Sequence, residues 1–296
     1  MISRTASHLH RSRIAKTAAQ ISCLVFILIL ASCVLTGCGP KNAPPSQVLN
    51  QEDAFSLELT YLADIPKTGS FRILQGGCVT QEHAYFAMLS DENFNSYILS
   101  KCYIIKYDRH TMQELCRSEV MSLGHANDIT YIPESNELYV VHCVNRKVSI
   151  LDADTLTVKR TDRLQRLDSY AISYNPSRDQ FVSGIATAGM GFFDSELNVV
   201  GSAKELDTTL VTQGICSDDK YIYHIMYSTK TNTEEPMHMI FVRDWEGNLI
   251  TSIPVGLKDC EPENISLVGD TFYIAFNNSD KTGGVVYTGK LTKNEG

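Results

Sequence analysis

Several of the commonest chemical signatures are missing from this chain. It has no CxxC pair and no cysteine–histidine cluster at zinc-site spacing, which removes the usual structural zinc motifs. There is no phosphate-cradling loop, no dinucleotide fingerprint and no Gly-x-Ser-x-Gly context around a serine. Basic residues are scarce: 26 Lys and Arg stand against 34 Asp and Glu, a formal charge of −8. Four of those cations, Arg4, Arg11, Arg13 and Lys16, lie in the first 37 residues beside no acid, so the remainder is more acidic still. Nucleic-acid binding, which needs clustered Lys and Arg, is excluded on this ground. The apolar run Ile21 to Val34 is short for a bilayer span of ~20 residues.

What is present is a repeat. Asp128-Ile129-Thr130-Tyr131, a turn at Pro133 to Asn136, Leu138-Tyr139-Val140-Val141, a turn at Asn145-Arg146 and Val148-Ser149-Ile150-Leu151-Asp152 follow in order. They are short β-branched and aromatic runs closed by turn formers, and Thr157 to Arg163 makes a fourth. The third run ends on hydrophobics and an Asp four times, at Asp108, Asp152, Asp194 and Asp244, spaced 44, 42 and 50 residues apart. Each Asp is expected to open a turn by accepting backbone N–H groups. The second run recurs five times, from Ala84, Leu138, Gln180, Tyr221 and Thr271. Two tracks in step at 40–50 residues are the spacing of propeller blades.

The expected fold is all-β, a five-bladed β-propeller over residues 55–296. Its blades run from about Gln75 to Met121, His125 to Leu164, Tyr170 to Leu206, Gln213 to Val255 and Glu261 to Thr292. The last blade lacks an outer strand, and Leu57–Leu62 is a spare one. That N-terminal strand is therefore predicted to close the last blade and remove a sticky sheet edge.

The aligned strands and turn aspartates resemble bacterial β-propeller lipoproteins of the broad YVTN/NHL-like kind. The start of the chain resembles a bacterial lipoprotein signal. A basic stretch and a short apolar run lead to Leu35-Thr36-Gly37-Cys38, with residues 1–37 as signal peptide and 38–54 as lipidated Cys38 and a proline-rich tether. The resemblance implies an extracytoplasmic protein held on the membrane by lipid at Cys38. A monomer is expected. Six cysteines remain beyond Cys38, and Cys78 and Cys216, which occupy one repeat position, read as small core residues.

Residues just ahead of each inner strand converge at one end of a propeller channel. Here they are Gln75, His125, Asn127, Asp128, Tyr170, Gln213, Glu261 and Glu263, which the sequence offers as a site for a small polar ligand or glycan. Three alternatives stay open. His125 with Asp128 or Glu263 is a candidate acid/base pair. Asp128 and Glu263 are candidate flanks of a glycosidic bond, and with His125 they are the candidate residues of an extracellular carbohydrate-active hydrolase or lyase. A face of the propeller is a candidate protein scaffold. No cofactor is demanded, although Asp128, Glu261 or Glu263 could hold a divalent cation.

Overall fold

The computed structural model describes Leu49 and residues 55–294, apart from 94–95, 97–98, 144, 166–167, 186–188, 204, 207, 229–237 and 258–259. The expected signal peptide, Cys38, the tether other than Leu49 and most of the loop from Ser228 to Pro236 lie outside the described residues.

Every named element is a strand, and the strands form five four-stranded antiparallel sheets. Strand β1 (Phe55–Pro66) stands apart in sequence from the sheet it joins. Blade 1 is β2 (Phe71–Val79), β3 (His83–Ser90), β4 (Cys102–Asp108) and β5 (Glu114–Arg117). Blade 2 is β6 (Asp128–Ile132), β7 (Glu137–Val141), β8 (Lys147–Asp152) and β9 (Val158–Arg163). Blade 3 is β10 (Ala171–Asn175), β11 (Gln180–Gly184), β12 (Met190–Asp194) and β13 (Val199–Ala203). Blade 4 is β14 (Val211–Ser217), β15 (Tyr221–Tyr227), β16 (His238–Asp244) and β17 (Leu249–Val255). Blade 5 is β18 (Cys260–Val268), β19 (Thr271–Asn278) and β20 (Gly283–Lys293), with β1 as its outer strand.

The ring closes as the spare strand predicts. β1 pairs with β20 from Phe55 opposite Lys293 to Pro66 opposite Gly283, through a bulge at Tyr61/Ala63. Closure is longer than the sequence expectation of Leu57–Leu62, because the pairing continues past that bulge.

Side-chain alternation explains why the blades stack. In β3, Tyr85, Ala87 and Leu89 pack toward blade 2, while Ala84, Phe86 and Met88 pack toward blade 5. In β7, Leu138 and Val140 face blade 1 and Tyr139 and Val141 face blade 3. A strand buried on both faces cannot alternate apolar with polar, so the middle strands read as continuous hydrophobic runs. The core is accordingly five slabs, one between each pair of neighbouring blades. Truncating a residue such as Phe86 to Ala would cost about 3–5 kcal/mol. The outer strand β9, Val158-Lys159-Arg160-Thr161-Asp162-Arg163, is largely exposed and polar, which suits a sheet edge in water.

The repeated Asp works as expected. Asp108 Oδ1 accepts from the N–H groups of His110 and Thr111 and from the Thr111 hydroxyl. Asp152 makes the same set with Asp154 and Thr155. Asp194 and Asp244 use a longer turn, in which the backbone and side-chain amides of Asn198 and Asn248 donate back.

Candidate functional site

The inner strands β2, β6, β10, β14 and β18 surround the axis with one edge unpaired. Their N–H groups need acceptors, because a buried amide without one costs about 1–3 kcal/mol. Asp128 supplies most of the answer. It is fully buried; its Oδ1 accepts from Ile129 N at 3.0 Å, and its Oδ2 accepts from Ile172 N at 3.0 Å and Ile215 N at 3.3 Å. One carboxylate on blade 2 thus holds the inner strands of blades 3 and 4. Asn264 on blade 5 adds a side-chain hydrogen bond to Asp128 and donates to Gly77 O on blade 1 at 2.5 Å. Burial pushes the Asp128 carboxyl well above its ordinary range, opposed by these donors.

Other side chains finish the edge. Ser266 Oγ accepts from Val79 N, Thr130 Oγ1 from Tyr174 N, and Asn277 Oδ1 from Leu74 N. Backbone approach is close where blades meet: a Cβ on Gly76 would overlap the Asp128 Cα, and one on Gly214 would lie 2.9 Å from the Asn264 Cα. Glycine is required at both positions for that reason.

At the end where the inner strands start, which we term upstream, the predicted polar residues do gather, but inside the protein. Gln75, His125, Asn127, Asp128, Gln213 and Glu263 are all buried, while Tyr170 and Glu261 are half-buried. Gln213 Nε2 donates to Glu261 Oε1 at 2.5 Å, Asn127 Nδ2 to Tyr170 O at 2.8 Å, and Gln75 Nε2 to Leu74 O at 3.3 Å. Glu263 Oε1 is buried with no hydrogen-bond partner among the described residues. Burial, then the neighbouring Glu261, raise the Glu263 carboxyl well above the usual range, and burial raises Glu261 despite Gln213. Among the described residues, no three His, Cys, Asp or Glu side chains come together as a metal-binding group.

The open space is at the other end. A cavity of about 500 Å³ sits where the inner strands finish. Ile129, Ile172, Ile215 and Ile265 line it, at the residue that follows the Asp128 position in blades 2 to 5. Cys78, Thr130, Ser173, Cys216 and Ser266 come next, and Ser173 Oγ meets Ser217 Oγ at 3.0 Å. Tyr131, Tyr174, Glu82, His83 and Asp154 also line it, further along the same chains. Burial drives the Cys78 and Cys216 thiols well above their ordinary range, with the Asp128 and, for Cys216, Asp218 charges adding to the effect. Both are therefore inert thiols at neutral pH.

Comparison with known proteins bears on the fold. No family model matches the chain, and no curated protein matches it. Among solved structures, Myxococcus xanthus glutaminyl cyclase is similar over 81% of this chain and 99% of its own, at 10% identity and a TM-score of 0.54. A duf4221 family member from Bacteroides vulgatus overlaps 82% of this chain and 100% of its own, with 11% identity and TM-score 0.48. Kuenenia stuttgartiensis hydrazine synthase overlaps 68% and 61%, with 15% identity and TM-score 0.43. The chain is a five-bladed β-propeller. At such identities the first likeness speaks for the fold and not for an activity, and the other two overlaps are too loose to bear on either.

Two sequence expectations need correction. Gln75, Gln213, Glu261 and Glu263 were placed ahead of their inner strands, but they lie within them, since β2 begins at Phe71, β14 at Val211 and β18 at Cys260. The reason is a bulge in each: the register slips between Leu74 and Gly77, between Thr212 and Gly214, and between Pro262 and Asn264. A bulge breaks the two-residue alternation, so a periodic reading starts the strand too late. The expected mouth is also displaced. Six of the eight predicted polar residues are buried, and the sequence reading offers no site role for the cavity-lining residues Ser173, Ser217 and Asp154. A signal for the inner-strand residues is present: in blades 2 to 5 the inner strand runs from the axial position through an Ile to a small or hydroxyl residue, then Tyr, Ser or Leu.

Proposed function

We propose that this chain is an exported propeller, lipid-anchored at Cys38, that binds a small ligand in the cavity at the downstream end of its channel. The observation that carries this reading is the cavity itself, about 500 Å³ with an apolar lining and a belt of hydroxyls. That is the size and composition of ligand pockets in general. The lipid anchor rests on Leu35-Thr36-Gly37-Cys38 and predicts that Cys38→Ser moves the chain from the membrane to the soluble fraction. The hydrolase reading is the weaker one, because Asp128 has both oxygens occupied by backbone donors and no exposed surface. An acid so engaged cannot protonate a leaving group.

The test is a thermal-shift screen of the purified chain against mono- and disaccharides, amino acids and polyamines. A bound ligand should raise Tm, and Ser173→Leu, which fills the cavity, should abolish the rise while its own Tm shows that the variant folds. Gln75→Ala, at the sealed end, should leave the rise in place. A ligand shift that survives Ser173→Leu and disappears in Gln75→Ala would reject the downstream cavity.

A further inference from the structure

The charges and aromatic rings around the cavity say more about its occupant. Its lining holds two carboxylates, Glu82 and Asp154, and no Lys or Arg among the described residues. Asp154 is met by Lys106 Nζ at 2.9 Å, whereas no ion pair to Glu82 is seen among the described residues. His83 does not offset them: burial, then Lys106, hold its imidazole below the ordinary value, so the ring is neutral at neutral pH.

The repeat adds a field. Strand three of each of the first four blades ends at this same end, so Asp108, Asp152, Asp194 and Asp244 all stand around it. Backbone N–H bonds pull Asp108, Asp152 and Asp194 below the usual carboxylate range, which keeps them ionised. These carboxylates outnumber the neighbouring Lys106 and Arg109, and a surplus of one sign around a concave, low-dielectric mouth concentrates counter-ions there.

Two tyrosines complete the picture. Tyr131 donates its hydroxyl to Asn136 Oδ1 at 3.1 Å, and Tyr174 donates to the Asp179 carboxylate at 2.8 Å. A phenol whose proton is drawn toward an acceptor has a more electron-rich ring, and such faces attract cations. Deeper in, the four isoleucines offer only apolar contact.

We infer that the cavity takes an organic cation with an apolar body, such as an alkyl- or arylammonium compound, apolar part inward against the isoleucines and cationic head beside Tyr131, Tyr174 and Glu82. The inference rests on the binding reading above and narrows it to one charge class.

Three probes of one shape test it: phenethylammonium, neutral 2-phenylethanol and anionic phenylacetate, titrated calorimetrically into the full-length purified protein. The expected order is cation, neutral, anion, with at least about tenfold between the ends, equivalent to ~1.4 kcal/mol. Glu82→Gln should weaken the cation and spare the alcohol, and Tyr174→Leu should shrink the cation's advantage. Added salt should weaken the cation alone. Saturable binding led by the alcohol or by phenylacetate, and abolished by Ser173→Leu, would overturn the charge assignment and keep the cavity as a binding site. No saturable binding by any of the three, together with a blank thermal-shift screen, would overturn both.

Discussion

The two ends of the channel are built from the same five strands and differ in what their side chains meet. Upstream, polar side chains are numerous and almost wholly committed to holding blades together, as Asp128 and Asn264 do. Downstream, the inner strands carry isoleucines and small hydroxyl residues around open space. Polar residues at an axis are therefore a poor guide to a ligand site when strand edges still need acceptors. The proposed site lies at the end where those edge demands have been met and room remains.

Breaking the upstream end should produce the largest effects. Asp128→Ala strands the N–H groups of Ile172 and Ile215 and should cost on the order of 3–5 kcal/mol, read from the denaturant midpoint at unchanged m-value. Asp128→Asn keeps an acceptor oxygen and should cost less than half as much. A near-neutral Asp128→Ala would remove the axial carboxylate from its organising role. Gly76→Ala should follow at about 1–3 kcal/mol, since the new methyl meets backbone, while Gly256→Ala, with open space around it, should be close to neutral.

Next in size is a pH effect. The folded-state Glu263 carboxyl is raised, so its contribution to stability is complete below its ordinary value of about 4.5 and is lost as pH rises toward the higher folded value. Glu263→Gln should therefore raise Tm more at pH 8 than at pH 5. Equal shifts at both would show that the carboxyl titrates normally. His142, held at about 4 by burial and then by Lys147, works in the other direction. Its contribution is present above about 6.5 and fades as pH falls toward 4. The smallest effect belongs downstream. Tyr174→Phe loses one exposed hydrogen bond and should cost no more than about 1 kcal/mol, yet should alter ligand affinity.

The ring was legible because each blade repeats two tracks, the apolar second strand and the Asp that ends the third, and both reflect constraints every blade shares. Closure was legible because Val286 needed an outer neighbour and Leu57 to Leu62 had no other place to pair. The site was legible only in part. Asp128 stands out in sequence as a polar residue at a strand start, but whether it faces a ligand or a neighbour's amide depends on Ile172 and Ile215, 44 and 87 residues away. The bulges at Gln75 and Gln213 hid the true strand starts. The cavity lining shows in the sequence as an Ile followed by a small or hydroxyl residue in blades 2 to 5, but that pattern alone does not distinguish a gap from a packed core.

Pairing β1 with β20 has a cost in time as well as a gain in stability. Phe55 meets Lys293, so β1, the earliest of the described strands, waits for β20 before either edge is covered. The closing pair of strands must bring together segments more than two hundred residues apart. Long-range closure of this kind is slow, which makes the meeting of those two strands the expected bottleneck in assembling the ring.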